Sequence, residues 1–142
     1  MTEIDSTELI RYARTWLDTP WQHNQCCRGV GVDCIRFAVD CYAHMGLYTG
    51  EIYHYQRQPR DNSLKNYLAT LPTLREQPSA SEVKAGQLLL FRVGGVPHHV
   101  GIATSDTTFI HADSRPHHMR VIEQPFLKWK KRIVSKFNAY SE

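Results

Sequence analysis

The spacing of apolar residues changes at Ala85, and this change constrains the fold more than any other feature. Before Ala85, apolar residues recur at helical spacing, whereas after it short apolar segments alternate with turns. The later segments predict five strands, at residues 87–93, 99–104, 108–112, 120–123 and 132–137. Helices followed by a run of antiparallel strands indicate the α+β class.

Three helices are predicted in the first half. The first follows Asp5, with Glu8 in capping-box spacing, and extends to Leu17 before Pro20 stops it. The second begins near Asp33 or Cys34 and ends at Gly46. The third covers 63–71, and residues 50–62 show no regular period. At 142 residues, we expect a single domain, 1–142.

Composition and charge limit the partners. Hydrophobic residues make up 42% of the chain, which excludes a disordered chain. The longest apolar run, 88–91, is far too short for a membrane span. The net charge is only +3, so we expect no nucleic-acid partner, although the basic stretch 128–136 leaves a nucleic-acid-binding module open as an alternative. The acidic start, residues 1–5, predicts synthesis in the cytoplasm without a signal peptide.

The stretch Gly29–Cys34 predicts a reactive cysteine. It carries Cys34 from a glycine-containing loop to a helix N-terminus, where unpaired N–H groups and the helix dipole favour a thiolate. A backbone N–H at the same turn could also stabilise an oxyanion. The alternative is an inert core thiol, which is how we interpret Cys41.

Two histidines on neighbouring predicted strands could complete a triad. His99 begins one strand and His111 lies on the next, so a hairpin would bring His111 to the ring of His99. Asp113 competes with His111 for the orienting role. Strand alternation predicts that His98 faces away from His99. A transition-metal site built from Cys34, His99 and His111 is a further alternative.

The sequence resembles the NlpC family of papain-like cell-wall cysteine peptidases, especially its phage-associated branch. Four stretches carry the resemblance in the family's order: residues 19–23, 29–34, 85–91, and 99–102 together with 110–112. The resemblance implies Cys34 as nucleophile, His99 as general base and His111 as the orienting residue. It also implies a papain-like fold, in which N-terminal helices, one bearing the nucleophile at its N-terminus, pack on a C-terminal antiparallel sheet of about five strands.

The same resemblance implies hydrolysis of amide bonds in peptidoglycan stem peptides, often at γ-D-glutamyl linkages, without a cofactor or metal. His99 would take the thiol proton, either during attack or in a standing thiolate–imidazolium pair. A phage tail or similar secretion device is the expected means of delivery to the cell wall. Two alternatives stay open: a catalytically silent domain of a tail assembly, and a thiol hydrolase or acyltransferase with a non-wall substrate.

The chain departs from the family pattern near the nucleophile. Ile35 and Arg36 follow Cys34 where the family usually has a small residue and then glycine, and Trp21 stands where relatives often carry tyrosine. His23 could supply a hydrogen-bond donor in place of that hydroxyl. We expect Trp21, His23, Asp33 and Arg36 to bind substrate or support the catalytic residues.

Overall fold

The computed structural model describes residues 1–47, 52, 54–57 and 60–142, so part of the irregular stretch predicted at 50–62 lies outside the described residues. Three α-helices and a 3-10 helix accompany nine strands in the described ranges. In chain order the elements are β1 (Thr2–Glu3), α1 (Ser6–Arg14), β2 (Cys26–Cys27), β3 (Gly31–Val32), α2 (Cys34–His44), α3 (Ser63–Thr70), β4 (Leu74–Glu76), β5 (Leu88–Val93), β6 (Val96–Ala103), β7 (Thr108–Asp113), β8 (Arg120–Pro125), the 3-10 helix (Leu127–Arg132) and β9 (Ile133–Ser141).

Seven of the described strands form one antiparallel sheet, which confirms the predicted α+β class. Its path is β1-β9-β5-β6-β7-β8, and β4 also pairs with β9. The predicted count of about five strands was too low. The two missed strands have only two and three residues, too few to show an alternating pattern, and they pair with β9.

The helices begin where predicted, but α1 ends earlier. The Asp5 side chain accepts a hydrogen bond from the N–H of Thr7 and so caps α1. The predicted end at Leu17 was wrong, because the chain turns after Arg14 and reaches a left-handed conformation at Asp18, with φ of 70°. Within the described ranges, no helix is long and apolar enough to cross a membrane.

The sheet separates two apolar clusters. The larger cluster fills the space between the helices and one face of the sheet, and α2 contributes Phe37, Ala38 and Cys41 to it. The smaller cluster includes Phe91 of β5, Phe109 of β7 and Trp129 of the 3-10 helix. The first part of the basic stretch 128–136 therefore belongs to a 3-10 helix, which the sequence did not predict and which covers this second cluster.

Candidate active site

Cys34 is the first residue of α2, and Asp33 caps that helix. One carboxylate oxygen of Asp33 accepts from the backbone N–H of Arg36 at 2.8 Å. The other accepts from the backbone N–H of Asn24 at 2.6 Å and from the hydroxyl of Tyr55 at 2.7 Å. Asp33 is buried, so its carboxylate holds the loop that presents Cys34.

Arg36 supports the same loop from outside the cavity. Its guanidinium donates two hydrogen bonds to the side-chain oxygen of Asn24, at 3.1 and 2.9 Å. The side chain is not among the groups that line the cavity around Cys34. The structure therefore places Arg36 behind the loop, in contact with the residue that Asp33 also binds.

A backbone strap, residues 20–23, carries Trp21 and His23 to the cavity. The N–H of Trp21 donates to the carbonyl of Met119 at 2.8 Å, and the N–H of Val32 donates to the carbonyl of Pro20 at 3.0 Å. The strap therefore lies beside both β3 and the start of β8. Trp21 and His23 both line the cavity that contains Cys34.

His99 and His111 lie in direct contact on neighbouring strands. His99 Nε2 is 2.7 Å from His111 Nδ1, and both rings are buried. Gly101 allows this approach: a Cβ there would lie 2.7 Å from the Phe109 ring and 3.2 Å from His111 Cβ. A larger residue at this position would force the two strands or the His111 ring to shift.

The Asp113 carboxylate binds Arg115 and His118 rather than His99. Arg115 donates to it from its backbone N–H at 3.0 Å and from its guanidinium at 3.1–3.2 Å. His118 Nδ1 lies 2.6 Å from the same carboxylate. Although burial raises the pKa of Asp113, these hydrogen bonds outweigh that effect and lower it to about 2. Of the two candidates for contact with His99, His111 occupies that position.

Cys34 and His99 line one narrow cavity of about 70 Å³. His98 lines it too, so the prediction that strand alternation turns His98 away from it was wrong. The pairing of β5 with β6 shifts between Phe91 and Arg92: Phe91 lies opposite His99 and Arg92 opposite Pro97. His98 is thus the extra residue of a bulge, which interrupts the alternation.

Trp129 is a site residue that sequence reasoning missed. Its ring stacks on His99, with centroids 5.5 Å apart and planes 27° apart, and it also contacts Phe91 and Phe109. Tyr55, also missed, lines the cavity and contacts His23 edge-on. Trp129 lies within a basic run and Tyr55 in a stretch without period, so neither carried a periodic signal.

Enclosure in this narrow cavity, away from bulk water, favours the uncharged forms of Cys34 and His99. It raises the pKa of the Cys34 thiol to about 12, and the Asp33 carboxylate acts in the same direction. Burial likewise lowers the pKa of His99 to about 4, although the Asp113 carboxylate opposes it. Of the two forms left open by the sequence, a thiol beside a neutral imidazole is therefore favoured over a standing ion pair.

We expect the alkylation of Cys34 by iodoacetamide to show this neutral pair. Because only the thiolate reacts, the rate should rise about tenfold per pH unit across pH 6–10. His99→Ala should leave the rate at pH 6 unchanged. The measurement needs a background with Cys26→Ser and Cys27→Ser, since both of those thiols are exposed. Fast alkylation at pH 6 that is independent of pH and is lost in His99→Ala would instead show a standing ion pair.

Three arginines surround the mouth of the cavity. The Arg57 guanidinium lies 4.8 Å from the centre of the Trp21 ring, and those of Arg115 and Arg132 lie 4.5 and 5.6 Å from the centre of Trp129. Arg115 pairs with Asp113, but neither Arg57 nor Arg132 forms an ion pair with a carboxylate of the described residues. The accessible charge at the mouth is therefore positive.

The arrangement of the side chains bears on the metal site that the sequence left open. Across the described part of the chain, no group of three or more histidine, cysteine or acidic side chains is arranged to hold a metal ion.

Comparison with known proteins identifies the family. The family model for NlpC/P60 matches residues 18–137. Among solved structures, the NlpC/p60 domain of the peptidoglycan hydrolase SagA is 20% identical with a TM-score of 0.64, over 96% of this chain and 99% of that one. An NlpC/P60 family protein from Bacillus cereus is 19% identical with a TM-score of 0.66, over 96% of this chain and 40% of that one.

NlpC1 from Trichomonas vaginalis is 16% identical with a TM-score of 0.71, over 98% of this chain. This chain spans less than half of that protein's length, as it does for the Bacillus cereus protein. A sequence comparison with curated proteins gave no match. The structural likenesses support the fold, and the family model covers most of the chain. The chain therefore belongs to the NlpC/P60 family of cysteine peptidases, which includes peptidoglycan hydrolases.

Proposed function

We propose that this protein hydrolyses amide bonds in the stem peptides of peptidoglycan, with Cys34 as nucleophile, His99 as general base and His111 as the residue that orients His99. The arrangement of these three residues is the observation that carries the proposal. Cys34 begins a helix and shares a cavity with His99, and His99 Nε2 lies 2.7 Å from His111 Nδ1. Acyl transfer to a thiol requires a nucleophile, a base beside it and a group that orients the base.

The reaction proceeds through a thioacyl-enzyme. His99 takes the thiol proton as Cys34 Sγ attacks the stem-peptide carbonyl. Backbone N–H groups near Sγ, at the start of α2 and at Val100, stabilise the charge that develops on the carbonyl oxygen. His99 then gives its proton to the leaving amine, and water attacks the thioester to release the acyl product and regenerate the thiol.

We further propose that the scissile bond is a γ-D-glutamyl amide. A glutamyl residue linked through its side chain keeps a free α-carboxylate close to the reacting carbonyl. The cavity mouth offers Arg57 and Arg132, which have no carboxylate partner among the described residues. A guanidinium binds a carboxylate through paired N–H donors, so this mouth favours a substrate with that group.

A pair of stem peptides tests this proposal, one with the free α-carboxylate of D-glutamate and one with the carboxamide. We expect kcat/KM to be about 10- to 100-fold higher for the carboxylate, the range of a hydrogen bond to a charged group. Arg132→Gln should reduce the difference. Arg75→Gln is the matched control, because Arg75 stacks on Tyr140 at 4.5 Å and does not line the cavity. Equal rates for both peptides in every variant would contradict recognition of the free α-carboxylate, on which the proposed linkage rests.

Delivery by a phage tail or similar device, with action at the cell wall, remains our proposal for where the protein works. Its support is the resemblance of the four family-like stretches, taken together, to the phage-associated branch. Purified tail particles should contain this chain in a fixed ratio to the tail proteins. A chain found only free of such particles would contradict delivery in this way.

A further inference from the structure

A glutamine lies directly behind the histidine pair. Gln124 of β8 places its side-chain Nε2 3.1 Å from His111 Nε2, and His111 Nδ1 in turn lies 2.7 Å from His99 Nε2. His111 is fully buried, so these two contacts account for both of its ring nitrogens. The three side chains therefore form one continuous chain of hydrogen bonds that ends at His99.

The orientation of the Gln124 amide decides where the protons of both histidines lie. A neutral imidazole has one N–H and one acceptor nitrogen. The two ends of an amide have the same shape, so the 3.1 Å contact between Gln124 and His111 accommodates either orientation. With the amide nitrogen toward His111, Gln124 donates to Nε2, and the proton of His111 must lie on Nδ1. His111 then donates to His99 Nε2, which leaves the proton of His99 on its Nδ1.

That tautomer cannot act as the base. Nδ1 is the ring nitrogen of His99 that His111 does not use, and Cys34 lines the same cavity as His99. A proton already on Nδ1 prevents it from accepting the proton of the thiol. A half-turn of the Gln124 amide places its carbonyl oxygen toward His111 and reverses both hydrogen bonds, so that His99 Nδ1 becomes free to accept.

The charged form of His99 requires the same orientation of the Gln124 amide. An imidazolium has two N–H groups, and its Nε2–H needs an acceptor on His111 Nδ1. His111 can accept there only when its own proton lies on Nε2, where it requires an acceptor beyond it. The carbonyl oxygen of Gln124 is that acceptor. Gln124 also lines an adjacent cavity with Arg115 and Lys128.

We propose that Gln124 is a positioning residue for the reaction: with its carbonyl oxygen toward His111, it fixes the tautomers that leave His99 Nδ1 able to take the Cys34 proton. This inference rests on the proposed function for its effect on turnover. The tautomers of His99 and His111, by contrast, are a property of the protein without substrate. The amide thus acts through His111 and never touches the reacting atoms.

The test compares wild type with Gln124→Glu and Gln124→Met. Nitrogen-15 NMR of the ligand-free protein at pH 7 should show His99 Nδ1 unprotonated in wild type and in Gln124→Glu, whose carboxylate only accepts. Gln124→Met, which lacks the acceptor, should show mixed tautomers. Its kcat should fall about 10- to 100-fold with KM unchanged, within the range for a disturbed general base.

Gln124→Glu should retain kcat and move the acid limb of its pH profile upward, since a carboxylate favours the imidazolium. Gln77→Met is the matched control, because that amide bonds only to the carbonyl of Arg75 among described groups, away from the histidines. An unchanged His99 tautomer and kcat in Gln124→Met, or a protonated His99 Nδ1 in wild type, would overturn the inference. If wild type hydrolyses no stem peptide, the proposed function fails and the NMR result still decides this one.

Discussion

Cys34→Ala is expected to lower kcat for stem-peptide hydrolysis by about 10⁴-fold or more, because removal of a nucleophile removes the covalent route altogether. Its effect on the free energy of unfolding should stay below about 1 kcal/mol, since Cys34 is partly exposed at the start of its helix. Hydrolysis assays and urea unfolding measure the two effects separately.

Cys41→Ala provides the matched control. Cys41 lies on the same helix but is completely buried in the larger apolar cluster. Its replacement should cost about 1 kcal/mol of stability by leaving a small cavity and should leave kcat within a factor of two or so. Residual activity above a few per cent in Cys34→Ala, or comparable losses of activity in both variants, would contradict the assignment of the nucleophile.

Trp129→Ala should give the largest loss of stability. The side chain is buried, and it contacts Phe91, Phe109 and both histidine rings. Truncation of a buried tryptophan costs about 3–5 kcal/mol, a large part of the stability of an average domain. Because the indole stacks on His99, kcat should fall as well. Urea unfolding followed by circular dichroism measures the first effect.

Leu127→Ala is the control for Trp129→Ala, since it lies in the same 3-10 helix with 79% of its surface exposed. Its effect should stay within about 0.5 kcal/mol. Trp129→Phe should recover part of both losses, because a phenyl ring can still stack on His99. A Trp129→Ala protein as stable as wild type would show that the 3-10 helix does not hold the second apolar cluster together.

The sequence predicts the α+β class and the elements that carry the site because those elements have strong local signals. Asp33 before an apolar helical period predicts the start of α2, and alternating residues with a tight turn predict the hairpin that joins His99 to His111. Each of these signals lies within one element or one turn. The fold class and the contact between the two histidines follow from such local patterns.

Other parts of the site depend on contacts between distant segments. Trp129 meets His99 only after the 3-10 helix folds over the second cluster, and Gln124 meets His111 only through the pairing of β8 with β7. The bulge at His98 arises from a register shift that no single strand reveals. Two edge strands form only because the long β9 provides a partner.

The sulfur that carries the acyl group during turnover can be identified directly. A stem peptide with a γ-D-glutamyl amide is mixed with the protein, quenched in acid within one turnover, and digested for mass spectrometry. We predict the mass of the acyl fragment on the peptide that contains Cys34, and on none that contains Cys26, Cys27 or Cys41 alone. Turnover of the substrate with the acyl group on another cysteine, or with none on any, would contradict the assignment of Cys34 as the nucleophile.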